Sequence, residues 1–280
     1  MQDHSFDGIG LKLHAVTHGD PSKRRIVLLH GFMDQAHAWD FVAQALADRF
    51  FVIALDFRGF GDSGWSADGY LFPDYQLDLA ALWRHFDLDC EFVVGHSMGG
   101  NVASQWAGLF PRRMRKLVLV EGFGPPERDI EDAPQRTQGW IDGLLKNTGQ
   151  HPRSMLNLEE VAARLEENHP FLTPERAAYL APFATRPEES GFTWKFDPVH
   201  RLPSPHPYRE DEFMVYWKRI EAPVLAIHGG ESGIGHEVIE SRYRHIRNLA
   251  KDTIAGAGHS VHIEQPELLA RRIATFFEEV

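Results

Sequence analysis

The chain has 280 residues, 43% of them hydrophobic and 25% charged, with 40 acidic against 29 basic side chains and a formal charge of −11. That composition supplies apolar mass for a large core, argues against global disorder, and argues against nucleic acid as a partner, since its binding needs a basic surface. A single cysteine, Cys90, rules out an intrachain disulfide and a cysteine-built zinc site, and no apolar run approaches the roughly 18 residues of a membrane span. The opening residues lack a basic-then-apolar leader pattern and the last ones carry no peroxisomal tripeptide, so the cytoplasm is the expected location.

In chain order, Phe6–Thr17 reads as a Gly-broken hairpin, antiparallel and at a sheet edge. Four β-branched, almost unbroken apolar runs follow: Arg25–His30, Phe50–Asp56, Glu91–Ser97 and Lys116–Glu121. Such runs are the mark of strands buried on both faces of a parallel sheet. Helix-like stretches separate them at Ala36–Ala47, Tyr75–Phe86 and Asn101–Leu109, the last ended by Pro111. Strand alternating with helix implies an α/β sheet with right-handed crossovers. The alternation then stops. Pro125 to Pro207 holds 12 of the 17 prolines, many aromatics and no strand-like run, only short helical pieces such as Glu159–Asn168 and Pro174–Pro182. Alternation resumes with a helix at Glu210–Ile220, a strand at Pro223–Gly229, a helix near Glu237–Leu249, a strand near Asp252–Ala255 and a final helix from Pro266. The expected organisation is a core of residues 1–124 and 209–280 interrupted by a mainly helical lid, residues 125–208.

The strongest chemical signal is Gly95-His96-Ser97-Met98-Gly99-Gly100, between a strand and a helix. A serine on such a sharp turn is pushed above the sheet, and the N–H of Met98, at a helix N-terminus, faces the same space. A glycine-rich turn serving packing alone is the competing explanation. Gly256-Ala257-Gly258-His259 follows the last strand, which puts His259 at the same sheet edge. His262 is the rival base, but it lacks the glycines that would bring its loop against Ser97.

From end to end, the His30-Gly31-Phe32 segment, Asp56-x-Arg58-Gly59-x-Gly61-x-Ser63, the turn around Ser97 and the loop before His259 occur in the order of the α/β-hydrolase fold, which this chain resembles. Within that superfamily it resembles the serine hydrolase-like proteins and, more distantly, the haloalkane dehalogenases. The resemblance implies a mostly parallel sheet flanked by helices, Ser97 as nucleophile, His259 as base, and an oxyanion hole made by the N–H groups of Phe32 and Met98. The acid is the irregular element. Its usual place after the strand at 223–229 is Ser232, which leaves Glu231, one residue early, or Glu121, at a strand end where some dehalogenase-like members place theirs. Glu121 is favoured because a strand end is a stiffer mount than a Gly-rich loop.

Other signals carry less. Gly59–Gly64 spells a dinucleotide-type glycine pattern, but the adjoining Trp65–Pro73 holds Asp68-Gly69 and a proline where that fingerprint needs a helix. His259, His262 and Glu264 lie on a loop entering a helix, so neither metal nor cofactor is expected. His30 and His96 are expected to hold the nucleophile region without transferring protons. Trp140, Phe183 and Trp194 are candidate substrate contacts from the lid. The function expected is cofactor-independent serine hydrolysis of a small to medium apolar acyl substrate, such as a carboxylic ester. The alternatives are C–C, amide, thioester or lactone hydrolysis on the same site, or a non-catalytic ligand receptor. Halide displacement is disfavoured, since it uses a carboxylate where Ser97 stands.

Overall fold

The apolar runs of the first 120 residues become strands because their side chains are buried on both sides. In the computed structural model, which describes residues 1–122, 124–146, 154–233 and 236–279 (without the side chains of 236–238), β1 (Gln2–Asp7) and β2 (Lys12–His18) form the antiparallel entry hairpin. Next come β3 (Arg25–Leu29), helix α1 (Asp40–Leu46), β4 (Phe51–Asp56), α2 (Asp74–His85), β5 (Glu91–His96), α3 (Met98–Leu109) and β6 (Met114–Val120). Alternate residues of one strand serve opposite cores. Val27, Leu29, Ile53 and Leu55 join one apolar cluster, while Ile26, Leu28, Val52 and Ala54 join the other. Each such buried branched side chain contributes about 1.5–3 kcal/mol relative to exposure.

After β6 come α4 (Ala133–Lys146), α5 (Leu158–Asn168) and α6 (Pro174–Ala184), followed by a small antiparallel hairpin, β7 (Thr185–Glu188) and β8 (Gly191–Trp194). Residues 147–153 of this stretch lie outside the described residues. The hairpin was not expected from the sequence: its strands are four residues long and Pro187 interrupts the β pattern. A 3-10 turn at Pro198–Arg201 and α7 (Glu210–Trp217) lead back to β9 (Val224–Gly229). Then α8 (His236–Tyr243), β10 (Leu249–Ile254), α9 (Val261–Glu264) and α10 (Pro266–Glu278) complete the chain. β10 starts three residues earlier than the sequence suggests, because this edge strand exposes Ala250 and Lys251 and so lacks a long apolar run.

The eight-stranded sheet runs β1-β2-β4-β3-β5-β6-β9-β10, antiparallel only in the β1–β2 and β2–β4 pairs. β5 and β6 therefore lie inside the sheet, side by side, with His96 opposite Val120. The residues that come directly after them, Ser97 and Glu121, leave the sheet at the same level. Ser97 N donates to Val120 O at 2.9 Å and Glu121 N donates to Ile227 O at 3.0 Å. Among the described residues, no helix is long and apolar enough to cross a membrane.

Candidate active site

Ser97 occupies φ 49°, ψ −114° between β5 and α3. A side chain rarely adopts that conformation, and close backbone packing on both sides enforces it. A Cβ on Gly95 would lie 2.4 Å from Gly99 O, and one on Gly99 would lie 2.4 Å from Leu29 O. Glycine at both places lets α3 start directly against β3 and β5. The N–H of Met98, first residue of α3, then belongs to the set that a helix leaves without an intrahelical acceptor.

Ser97 and His259 line one cavity of about 530 Å³, with Phe32 on its wall. The Phe32 loop is held from below by His30. Its Nδ1 donates to Gly31 O at 2.7 Å and its Nε2 accepts from Phe57 N at 3.0 Å, while burial lowers its pKa and favours the neutral ring that this pattern needs. His96 supports the other side: its Nε2 donates to His259 O at 2.9 Å. Burial holds His96 well below the ordinary imidazole pKa, so both histidines act as neutral struts.

Glu121 directly follows β6 at φ 53°, buried, with both carboxylate oxygens engaged. Oε1 accepts from Gly229 N at 2.8 Å and from His228 Nδ1 at 3.3 Å; Oε2 accepts from Ser232 Oγ at 2.8 Å and from His259 Nδ1 at 3.2 Å. Burial alone would raise its pKa, but these donors outweigh burial and bring it down to about 2. His228, on β9, also bonds the Tyr243 hydroxyl through Nε2, extending the chain of contacts to α8. The alternative acid, Glu231, is exposed; its backbone N–H donates to Ala257 O at 2.9 Å, and no side-chain contact to His259 joins it to the site. Glu121 is thus the carboxylate that meets His259.

His262 has its own carboxylate. Its Nε2 donates to Asp34 Oδ2 at 2.9 Å, and Asp34 also accepts from Gln35 N. Burial raises the Asp34 pKa less than this imidazole contact lowers it, leaving it at about 2. Asp34, His96 and His262 bring ligand-type atoms within 4.8 Å of one another, as do His14, Asp56 and Asp62. Sequence separations of this size hide such groupings from a reading of the chain alone. Glu264, grouped by sequence with His259 and His262, instead accepts from Gly258 N at 2.7 Å. Internal bonds run through both clusters, His262 to Asp34 and His14 to Asp56 at 2.7 Å.

Of the three candidate substrate contacts, Trp194 lines the cavity. Phe183 does not: its ring stacks on His37 at 4.0 Å. Trp140 lies on α4 beside Gly69, also away from the cavity lining. Aromatic content marks the segment as packed but not which rings turn inward. Leu165 and Leu180, on α5 and α6, and Phe196 just after β8 also line the cavity, and the sequence did not single them out. The glycine pattern at Gly59–Gly64 wraps a buried carboxylate: a Cβ on Gly61 would lie 2.2 Å from the Asp56 side chain, whose Oδ2 accepts from Asp62 N at 2.9 Å.

A serine on the tight turn after the fifth strand of a mostly parallel sheet, with a histidine loop at the same edge, is the layout of one large class of proteins. The model of the alpha/beta hydrolase fold matches residues 24–266, and the chain belongs to that family. It is 27% identical over 297 aligned positions to a serine hydrolase-like protein of Dictyostelium discoideum, covering 97% of this chain and 80% of that protein. It is 26% identical over 258 positions to an esterase of Mycobacterium tuberculosis, covering 89% and 80% respectively. Among solved structures, the thioesterase domain from the curacin biosynthetic pathway superposes with a TM-score of 0.90 at 24% identity, over 98% of this chain and 99% of that one. That last likeness is one of fold.

Proposed function

We propose that this protein is a serine hydrolase that cleaves a carboxylic ester of a small to medium acyl group. The observation that carries the reading is the pair formed by His259 and buried Glu121, 3.2 Å apart, opening onto the cavity that Ser97 lines. In this reading Ser97 Oγ attacks the acyl carbon while His259 Nε2 takes its proton. Glu121 fixes Nδ1 as the protonated nitrogen and stabilises the imidazolium that forms. His259 then protonates the leaving oxygen, and the acyl-serine is released by water activated through the same imidazole. The N–H groups of Phe32 and Met98 hold the oxyanion, worth about 3–4 kcal/mol per donor where measured.

Segment 125–208 acts as the lid in this reading, since Leu165, Leu180 and Trp194 help wall the cavity. A non-catalytic receptor is disfavoured. Its main support was the absence of an acid at Ser232, and Ser232 instead donates to the carboxylate that replaces it. The test is a fluorophosphonate probe followed by mass spectrometry, alongside nitrophenyl esters of rising chain length. A stoichiometric adduct on Ser97, with hydrolysis abolished in Ser97→Ala, is expected; an adduct elsewhere, or none, overturns the assignment.

A further inference from the structure

Among the described residues, three cations line the cavity: Arg164, Lys195 and Arg201. Two are already neutralised, Arg164 by Glu160 at 2.8 Å and Lys195 by Asp62 at 2.7 Å. Arg201 is different. Among the described residues, no carboxylate or carbonyl bonds its guanidinium, which lies over the Phe196 ring at 4.9 Å. In a chain with 40 acidic and 29 basic residues, a cation is not left unpaired for want of carboxylates.

Its mount is also unusually firm for an exposed arginine. The preceding residue, His200, is wedged between Phe60 and Tyr70, with ring centroids 3.9 and 3.8 Å away, and its Nδ1 meets the Tyr75 hydroxyl at 3.3 Å. Asp197 caps the turn by accepting from Val199 N at 3.0 Å, takes the Tyr70 hydroxyl bond at 2.7 Å, and donates its own N–H to Gly59 O at 2.8 Å. A turn pinned at both ends to the hydrolase core presents Arg201 to the cavity with little backbone freedom to lose, which is what preorganised recognition requires.

Resting on the hydrolase reading, we infer that Arg201 forms an anion subsite in the catalytic cavity and that the substrate is an ester bearing a carboxylate. A single unpaired guanidinium matches one planar carboxylate through paired N–H bonds. A phosphate dianion would call on further free cations, and Arg164 and Lys195 are already engaged. Of the carboxylates lining the cavity, Asp34 already accepts from His262 Nε2 and Gln35 N, and Glu167 is exposed on α5, where solvent screens it.

The test compares mono(4-nitrophenyl) glutarate with 4-nitrophenyl pentanoate for charge on the acyl chain, and 4-carboxyphenyl pentanoate with phenyl pentanoate for charge on the leaving group. A charge-assisted bidentate contact should raise kcat/KM of the charged member of one pair by about tenfold or more. Arg201→Met should abolish that preference while leaving the neutral esters within about threefold, and Arg201→Lys should keep part of it. Whichever pair shows the preference tells which end of the substrate is anionic. Equal rates within both pairs, or a preference that survives Arg201→Met, overturn the subsite while leaving the hydrolase reading intact. Calorimetric titration of glutarate reads the subsite without turnover. Binding to the wild type and not to Arg201→Met, with no ester cleaved, would sustain the subsite and sink the hydrolase reading; no binding and no cleavage would sink both.

Discussion

His259 and His262 stand three residues apart on one stretch of chain, and each meets a carboxylate, yet their surroundings differ. His259 is 44% exposed in its side chain and lines the cavity; His262 is 1% exposed and packs its ring against Trp39 and His96. Glu121 holds its histidine by one oxygen while three other donors fix the carboxylate from behind. Asp34 and His262 bind across the chain, tying the Phe32 loop to the histidine loop. A carboxylate–imidazole pair is therefore no signature of catalysis by itself. What separates the two is access: one imidazole is open to the cavity that Ser97 lines, and the other is enclosed.

The comparison breaks most sharply at the acids. Glu121→Gln should cost on the order of 10³ or more in kcat, because an amide favours the wrong imidazole tautomer. Adding Ser232→Asp should recover part of that loss, since Ser232 Oγ already lies 2.8 Å from the oxygen that His259 uses. Steady-state assays on protein shown to be folded by circular dichroism decide both points. If Glu121→Gln retains wild-type turnover, the contrast collapses.

His228 sharpens the same side. It donates to Glu121 without meeting the cavity, so His228→Leu should lower kcat by about tenfold, and His228→Asn, whose amide can donate from nearly the same place, should restore most of it. Equal losses in the two variants would point to packing and not to the hydrogen bond. On the other side, Asp34→Asn should leave kcat within about tenfold but lower unfolding free energy by about 1–3 kcal/mol, read from denaturant midpoints. A dead but fully stable Asp34→Asn would reverse the roles.

Acid should weaken both pairs. With the folded pKa of Glu121 and of Asp34 held down at about 2, each contributes stability that is complete above the ordinary carboxylate range and is lost as pH falls from there toward 2. Melting temperature should decline through that window, less steeply in Asp34→Asn than in the wild type. The smallest effect belongs to Glu231→Gln, exposed and outside the site, which should change turnover by no more than about twofold.

Much of this was legible because it is local. The runs at Arg25–His30, Phe50–Asp56, Glu91–Ser97 and Lys116–Glu121 announced β3 to β6, since a strand covered on both faces needs no partner to reveal it. The turn that carries Ser97 was legible for a similar reason: the glycines that make it adjoin Ser97 in sequence. The edge strand β10 and the β7–β8 hairpin were blurred, having little apolar periodicity. The pairing of His228 with Glu121 spans 107 positions and that of His262 with Asp34 spans 228, so only the fold brings them together. One faint cue for His228 existed. It is the polar residue within the otherwise apolar β9, immediately before Gly229-Gly230.

The backbone at Ser97 carries a consequence for how such a protein tolerates change. An L-residue at φ 49°, ψ −114° is held there at a cost of about 1–3 kcal/mol, and glycine would relieve most of it. The heat-resistant sequence and the working sequence therefore diverge at the one residue proposed to do the chemistry. A library screened for survival on heating, blind to turnover, would accumulate Ser97→Gly, and its hardiest members would be inert.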